Sequence, residues 1–149
     1  MLPLTTRLAE NAFLVVDTEV LKVLEYYRQL NPNDKEAGGI LIGSYRNRHI
    51  HVVKATTPGI RDTRSRYGFH RRSLKHQTIA LSAWLGSSST LTFIGEWHTH
   101  PEDYPAPSRI DIDEWKKHAQ KQPLIMIIEG RVDRWLGICI EGTIQKVPC

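Results

Sequence analysis

The sequence predicts an α+β domain in which helices pack around a mainly antiparallel, hairpin-rich sheet. Short apolar runs that end in turn residues are typical of strands joined by hairpins. Other segments repeat their apolar residues at the period of an amphipathic helix. The chain has 149 residues, of which 40% are hydrophobic and 24% are charged, so we expect one globular domain over residues 1–149.

The N-terminal part is predicted to contain a strand followed by a helix. Ala12–Val16 is a short apolar run, and Asp17 is a candidate N-cap directly after it. The apolar residues that follow keep helical spacing: Val20, Val23, Leu24, Tyr27 and Leu30. The turn-forming run Asn31–Asp34 ends this helix.

A hairpin, a loop and a second helix are predicted next. Glu36–Tyr45 and His49–Thr56 are apolar-rich strands, and the polar residues between them form the turn. Thr57–Tyr67 is predicted to be a loop because a proline and a glycine open it. His70–Leu85 is predicted to be a helix because three of its leucines line one side: Leu74, Leu81 and Leu85.

The second half is predicted to contain one strand, one helix and three further strands. Leu91–His100 is the strand, and three prolines hold open the loop Pro101–Pro107 after it. Ser108–Gln120 is the helix, with core spacing at Ile112, Trp115 and Ala119. The remaining runs predict strands at Leu124–Glu129, Arg134–Glu141 and Thr143–Val147. We also expect Trp97 and Cys139 in the core.

The net charge of +4 is concentrated in one segment. Between Arg61 and His76, six basic residues stand against one acid, Asp62. This concentration argues against a general nucleic-acid-binding surface. The segment has two open interpretations, a solvated loop and helix face or a substrate clamp. The clamp would use Arg61, Arg64, Arg66, Arg71 and Arg72.

Cysteine usage and the lengths of the apolar runs argue against a secreted or membrane protein. Cys139 and Cys149 form neither a CxxC pair nor a disulfide framework. The longest apolar runs are too short to span a bilayer. Met1–Glu19 lacks the pattern of a signal peptide. We therefore expect no membrane partner and a cytoplasmic location.

Two histidines and an aspartate are the candidate metal ligands. On a strand, His98 and His100 point to the same side, and Asp111 lies in the first turn of the helix that begins near Ser108. Two imidazoles and a carboxylate leave a fourth tetrahedral position open, which is typical of catalytic zinc. These ligand types also suit iron or manganese. A bound zinc would lower the pKa of water to about 7 and make hydroxide available at neutral pH.

Two acids and one serine are candidates for the remaining chemistry. Glu36 starts a predicted strand before Gly38 and Gly39, where another backbone or a substrate can approach closely. Glu96 shares the strand face of the histidines, so it is the alternative base, a partner that orients a metal ligand, or a buried, paired acid. Ser108 fits a Ser-x-x-Asp capping pattern, and it could assist catalysis as well.

The pattern of these residues resembles the JAMM motif of the MPN-plus (JAB) metallopeptidase family. The matching positions are Glu36, His98-Thr99-His100-Pro101, Pro107-Ser108 and Asp111. Compatible elements extend over roughly residues 12 to 147. The resemblance implies a single MPN/JAB-like domain with a curved sheet and flanking helices, of the cytidine-deaminase-like type.

The same resemblance implies the roles of individual residues. His98, His100 and Asp111 would bind one zinc ion per chain. Glu36 would act as general base and then as general acid. Ser108 would support the water or the oxyanion of the tetrahedral intermediate.

Within the family, the short chain and the sequence of Gly95–Pro101 are most similar to a bacterial subgroup encoded in CBASS anti-phage operons. Its members resemble deubiquitinases and release a cGAS-like nucleotidyltransferase (CD-NTase) from its conjugates. The resemblance implies a protein conjugate substrate, with the CD-NTase C-terminal tail linked to a lysine or N-terminus, and a functional link to an E1–E2-like ligase. Three alternatives stay open: processing of a ubiquitin-like or sulfur-carrier protein, a non-catalytic MPN scaffold, and a nucleic-acid-associated protein.

Overall fold

The structure, a computed structural model, describes residues 1–118 and 120–149. These residues contain ten strands and three helices. The strands are β1 (Leu4–Ala9), β2 (Ala12–Val16), β3 (Gly38–Arg46), β4 (His49–Ala55), β5 (Thr63–Ser65), β6 (Gly68–His70), β7 (Thr92–Thr99), β8 (Leu124–Glu129), β9 (Arg134–Ile140) and β10 (Thr143–Lys146). The helices are α1 (Thr18–Tyr26), α2 (Lys75–Gly86) and α3 (Arg109–Lys117). None of the helices described in these ranges is long and apolar enough to cross a membrane.

Eight strands form one mixed sheet in the order β1-β2-β4-β3-β7-β8-β9-β10, and β5 pairs with β6 in a separate hairpin. The pairs β2–β4 and β7–β8 are parallel, and the other neighbours in the large sheet are antiparallel. The predicted α+β class with a mainly antiparallel sheet is therefore confirmed.

The central strand β8 shows how the sheet is covered on both faces. Its side chains alternate, so Ile125 and Ile127 join the core beneath α1, whereas Met126 and Ile128 pack with Trp115 of α3. A strand covered on both faces needs a continuous apolar run, which β8 has. Three of the residues predicted for the core are buried, Trp97, Trp115 and Cys139, whereas Ile112 of α3 is half-buried.

The segment between β4 and β7 differs most from the prediction. Thr57–Tyr67, predicted as a loop, contains β5 and the turn of the β5–β6 hairpin. α2 begins at Lys75 rather than at His70, and its predicted leucine stripe is exposed to solvent. The buried residue of α2 is His76. The stripe prediction was wrong because helical spacing shows which residues share a face, but not that this face meets the core.

Smaller differences occur at other element ends. Asp17 occupies the N-cap position of α1 without a side-chain cap bond, because its Oδ1 lies 2.7 Å from His51 Nε2 instead. The edge strand β1 was not predicted. α3 ends at Lys117, and Ala119 of the predicted helix lies outside the described residues.

A buried network fastens the segment after β4 to the sheet. The Asp62 carboxylate accepts three backbone N–H groups at 2.7 Å, from Gly59, Arg72 and Ser73. It also lies 2.7 Å from His76 Nε2, and His76 Nδ1 lies 2.5 Å from Thr56 Oγ1. Burial alone would raise the pKa of Asp62, but these hydrogen bonds hold it well below its ordinary value.

We expect Asp62→Asn to lower the free energy of unfolding by roughly 2–4 kcal/mol near neutral pH, because its NH₂ group would face buried donors in either orientation. The pKa of Asp62 is lower in the folded than in the unfolded chain. Its contribution is therefore present above the unfolded pKa of about 3.9 and is lost as the pH falls below that value. Chemical denaturation at several pH values should show the variant and wild type converging in acid.

The exposed carboxylate of Asp113 provides a matched control for this prediction. Asp113→Asn should change the free energy of unfolding by less than about 0.5 kcal/mol. An equally small effect of Asp62→Asn would show that the network does not stabilise the fold.

Candidate metal centre and active site

The paired strands β3 and β7 bring the predicted site residues together. Along β7 the side chains alternate, so His98 faces an open groove while Thr99 is buried on the other side. Gly38 at the start of β3 pairs with His98. Glu36, two residues before β3, therefore lies beside the end of β7.

His98, His100 and Asp111 form a donor triangle. The two histidine Nε2 atoms are 3.1 Å apart. Asp111 Oδ1 lies 3.2 Å from His98 Nε2, and Asp111 Oδ2 lies 3.2 Å from His100 Nε2. Ligand atoms about 2.05 Å from a tetrahedral ion are about 3.3 Å apart, so the triangle has the dimensions of a ligand set. These side chains could hold a metal ion.

The start of α3 sets the direction of the Asp111 carboxylate. Ser108 is the N-cap, and its Oγ accepts the N–H of Asp111 at 3.1 Å. The N–H of Ser108 donates to Asp111 Oδ2 at 2.8 Å, which completes a capping box. The same carboxylate oxygen faces His100, so the helix start and the donor triangle share one atom.

The two carboxyl groups of the site have opposite pKa shifts. Burial would raise the pKa of Asp111, but hydrogen bonds with His100 and His98 hold it far below its ordinary value. Burial raises the pKa of Glu36 to about 7, and the charges of the two histidines oppose this rise only in part. Asp111 thus stays ionised, as a ligand must, while Glu36 can exchange a proton near neutral pH.

Glu36 and Asp111 are two alternative third donors next to the histidines. One carboxylate oxygen of Glu36 and one nitrogen of each histidine all lie within 4.8 Å of one another. The contacts of Asp111 are shorter, at 3.2 Å. Distance and pKa together favour Asp111 as the ligand and leave Glu36 as the neighbouring acid–base group.

Comparisons with known proteins identify the family. Residues 23–137 match the family described as prokaryotic homologs of the JAB domain. The chain belongs to this family. It is 39% identical over 135 residues to a CD-NTase/cGAS isopeptidase of Escherichia coli (strain TW11681), with 90% of this chain and 86% of the relative covered. It is 42% identical over 115 residues to a protein of the same name from Pseudomonas aeruginosa (strain BWHPSA011 / Pa011), with 74% and 73% covered.

Two further proteins are similar to the JAB domain. A Vibrio cholerae protein with the same isopeptidase name is 38% identical over 128 residues, with 85% of this chain and 82% of the relative covered. A solution structure of a protein from Desulfitobacterium hafniense superposes with a TM-score of 0.61 over 88% of this chain and 87% of the other. At 20% identity, that likeness concerns the fold alone.

An open groove of about 710 Å³ leads to the donor triangle of the JAB domain. Its lining includes Phe69 of β6, Arg71, and Ile110 and Glu114 of α3. This volume is within the usual range for ligand sites. An extended peptide could therefore lie across the donors.

Arg71 and Arg72 are the two predicted substrate-binding arginines that line this groove. The Nη1 atom of Arg71 lies 2.6 Å from Glu96 Oε1. Glu96 is therefore a paired acid on the groove wall, which was one of its three predicted roles, and its carboxylate bonds to Arg71 rather than to a candidate metal ligand. Arg61 is exposed on the preceding loop.

Arg64 and Arg66 have partners within the JAB domain. Arg64 Nε donates to the backbone oxygen of Glu36 at 2.8 Å. Arg66 Nη1 donates to the backbone oxygen of Pro32 at 2.7 Å. These two guanidinium groups fasten the β5–β6 hairpin to the connection between α1 and β3.

Glu102 belongs to the site but was not predicted from the sequence. Its Oε1 lies 2.8 Å from His100 Nδ1. A carboxylate can only accept, so Nδ1 carries the proton and Nε2 keeps its lone pair toward the donor triangle. The sequence did contain a signal for this contact, because Glu102 follows the candidate ligand His100 by only two residues.

The two glycines at the start of β3 make room for other parts of the JAB domain. A Cβ atom on Gly38 would lie 2.6 Å from the Phe69 ring. A Cβ atom on Gly39 would lie 2.6 Å from Thr56 Oγ1. The close approach predicted at these glycines is therefore made by Phe69 and Thr56.

Proposed function

We propose that this JAB domain is a zinc-dependent isopeptidase that cleaves the bond after the C-terminus of a conjugated protein. One observation carries the proposal: His98, His100 and Asp111 stand 3.1–3.2 Å apart, with Glu36 beside them. Three protein ligands leave one position of a tetrahedral zinc ion open. Zinc supplies Lewis acidity toward water and toward the scissile carbonyl.

In this proposal Glu36 moves the proton. It accepts the proton that the attacking water loses as the new C–O bond forms. It then donates that proton to the leaving amine as the C–N bond breaks. The burial that raises the pKa of Glu36 to about 7 suits both transfers near neutral pH.

Ser108 supports the oxyanion in the same proposal. Its Oγ accepts the Asp111 N–H, and its hydroxyl proton is a separate donor. Ser108 can therefore cap the helix and assist catalysis at the same time. The cap uses a lone pair of its Oγ, and oxyanion support would use its hydroxyl proton.

We propose the substrate from the names of the relatives, which are CD-NTase/cGAS isopeptidases. The conjugate would join the C-terminal tail of a cGAS-like nucleotidyltransferase to a lysine or N-terminus, made in the cytoplasm by an E1–E2-like ligase during CBASS defence. Within the described residues β6 pairs with β5 alone, so its other edge can hydrogen-bond an extended tail in the groove.

A purified conjugate of the CD-NTase tail tests the proposal. The zinc-loaded protein should cleave directly after the last residue of the tail, a chelator should stop cleavage, and added zinc should restore it. A sulfur-carrier or ubiquitin-like conjugate serves as the comparison substrate. Cleavage of that conjugate alone would reassign the substrate, and cleavage of neither would contradict the isopeptidase activity.

We expect Glu102→Ala to weaken zinc binding about 10- to 100-fold, because His100 loses the carboxylate that fixes its proton on Nδ1. Glu102→Gln should have a smaller effect, since its amide oxygen can still accept that hydrogen bond. Competition with a chromophoric chelator measures the affinity.

Asp103→Ala is the matched control, because Asp103 is the next carboxylate in the loop and pairs with Arg131. It should leave the zinc affinity within about twofold of wild type. Equal losses in the Glu102 and Asp103 variants would indicate a general disturbance of the loop.

A further inference from the structure

Gln29, in the connection between α1 and β3, is completely buried and joins three segments of the chain. Its Nε2 group donates to the backbone oxygen of Asp34 at 3.2 Å and to that of Arg66 at 2.9 Å. Its Oε1 accepts the hydroxyl of Thr99 at 2.8 Å. One side chain therefore ties together the α1–β3 connection, the turn of the β5–β6 hairpin and β7.

Thr99 extends this link to the residue that follows Glu36. Its Oγ1 accepts the N–H of Ala37 at 3.0 Å, and its own N–H donates to the Ala37 oxygen at 2.9 Å. Thr99 lies between His98 and His100 in the sequence. Its hydroxyl therefore helps to set the position of the Glu36 backbone relative to both histidines.

Glu36 lies outside the regular strand, because β3 begins two residues later. Its N–H donates to the Ser65 oxygen at 2.7 Å, and its own oxygen accepts Arg64 Nε at 2.8 Å. Both partners belong to β5. The position of Glu36 thus depends on the β5–β6 hairpin and on Thr99. Gln29 forms hydrogen bonds with the turn of that hairpin and with Thr99.

We propose that Gln29 is a positioning residue that holds Glu36 in place relative to His98 and His100. The inference rests on the proposed function, in which Glu36 moves the proton. A displacement of about 1 Å at a reacting group can lower the rate about 100-fold. His98 is held by the pairing of β7, and the N–H of His100 donates to the Glu129 oxygen at 3.0 Å, so we expect zinc affinity to be independent of Gln29.

Gln29→Leu removes all three hydrogen bonds at similar volume. We expect kcat for conjugate cleavage to fall about 10- to 100-fold, while KM and the zinc affinity change less than about threefold. In the metal-free protein, the Ala37 amide should exchange with deuterium at least about tenfold faster. Thr99→Val should reproduce these effects, and Thr99→Ser, which keeps the hydroxyl, should restore values close to wild type.

Val52→Ala is the matched control for lost stability, because Val52 is buried in β4 and belongs to neither the groove nor the network. It should lower Tm and leave kcat within about twofold. A wild-type kcat or Ala37 exchange rate in Gln29→Leu would overturn the inference, as would an equal loss of kcat in Val52→Ala. If Gln29→Leu does not fold, the two Thr99 variants decide.

Wild type and Glu36→Gln are measured alongside the Gln29 and Thr99 variants. Wild-type protein that cleaves no conjugate would contradict the proposed function. The Ala37 exchange rate in the metal-free Gln29 variant would still decide the positioning inference, because it needs neither zinc nor substrate.

Discussion

Replacing Glu36 with glutamine is expected to lower kcat for conjugate cleavage about 100- to 10,000-fold while one zinc ion stays bound per chain. Glutamine has nearly the same size, but it neither accepts nor delivers a proton at its side chain. Glu36 is buried, at 6% exposed, so solvent does not easily replace it as a proton acceptor. Steady-state cleavage and metal analysis of the same preparation measure both quantities.

Glu96→Gln is the matched control for the Glu36 variant, since Glu96 lines the same groove and its carboxylate pairs with Arg71. It should keep kcat within about tenfold of wild type. An inactive Glu96 variant beside an active Glu36 variant would make Glu96 the base. Loss of zinc from Glu36→Gln would instead identify Glu36 as a ligand.

Substitution of His98 by alanine should remove both bound zinc and measurable cleavage. The donor triangle loses one of three corners, and the remaining pair holds the ion much less tightly. Zinc at 100 times its dissociation constant should stabilise the wild-type fold by about 2.7 kcal/mol. The variant should gain almost none of this, which thermal unfolding with and without zinc will show.

His118→Ala provides the comparison for His98, because His118 also lines the groove but is exposed to solvent. This variant should retain one zinc ion per chain and the zinc-dependent rise in Tm. Tight binding of one zinc ion by His98→Ala would refute the assigned ligand set.

The donor triangle could be predicted from the sequence because its geometry is local. The alternation of a strand puts His98 and His100 on one side, and the capping pattern of Ser108 and Asp111 places the carboxylate in a first helical turn. The position of Glu36 depends instead on the register of β3 against β7. Register between strands so distant in the sequence follows from tertiary packing, which spacing alone does not reveal.

The β5–β6 hairpin was missed because its three-residue strands carry no alternating apolar pattern. Hydrogen bonds to other segments hold it, including those from Arg64 and Arg66 to backbone oxygens. From the sequence alone, arginines that bond to backbone oxygens cannot be told apart from arginines on a solvated charged face. Gln29 is equally inconspicuous in the sequence, because it falls near the end of the predicted helix, where a glutamine is usually exposed.

Because Asp111 Oδ2 accepts the Ser108 N–H and also faces His100, we expect thermal inactivation to begin as a local event at the start of α3. Fraying of that first turn would move the Asp111 carboxylate away from the histidines, whereas a bound ion would hold the turn in place. On warming, activity would be lost through escape of the ion while the sheet is still intact. A scavenger of free metal would then shorten the lifetime of the enzyme well below its melting temperature.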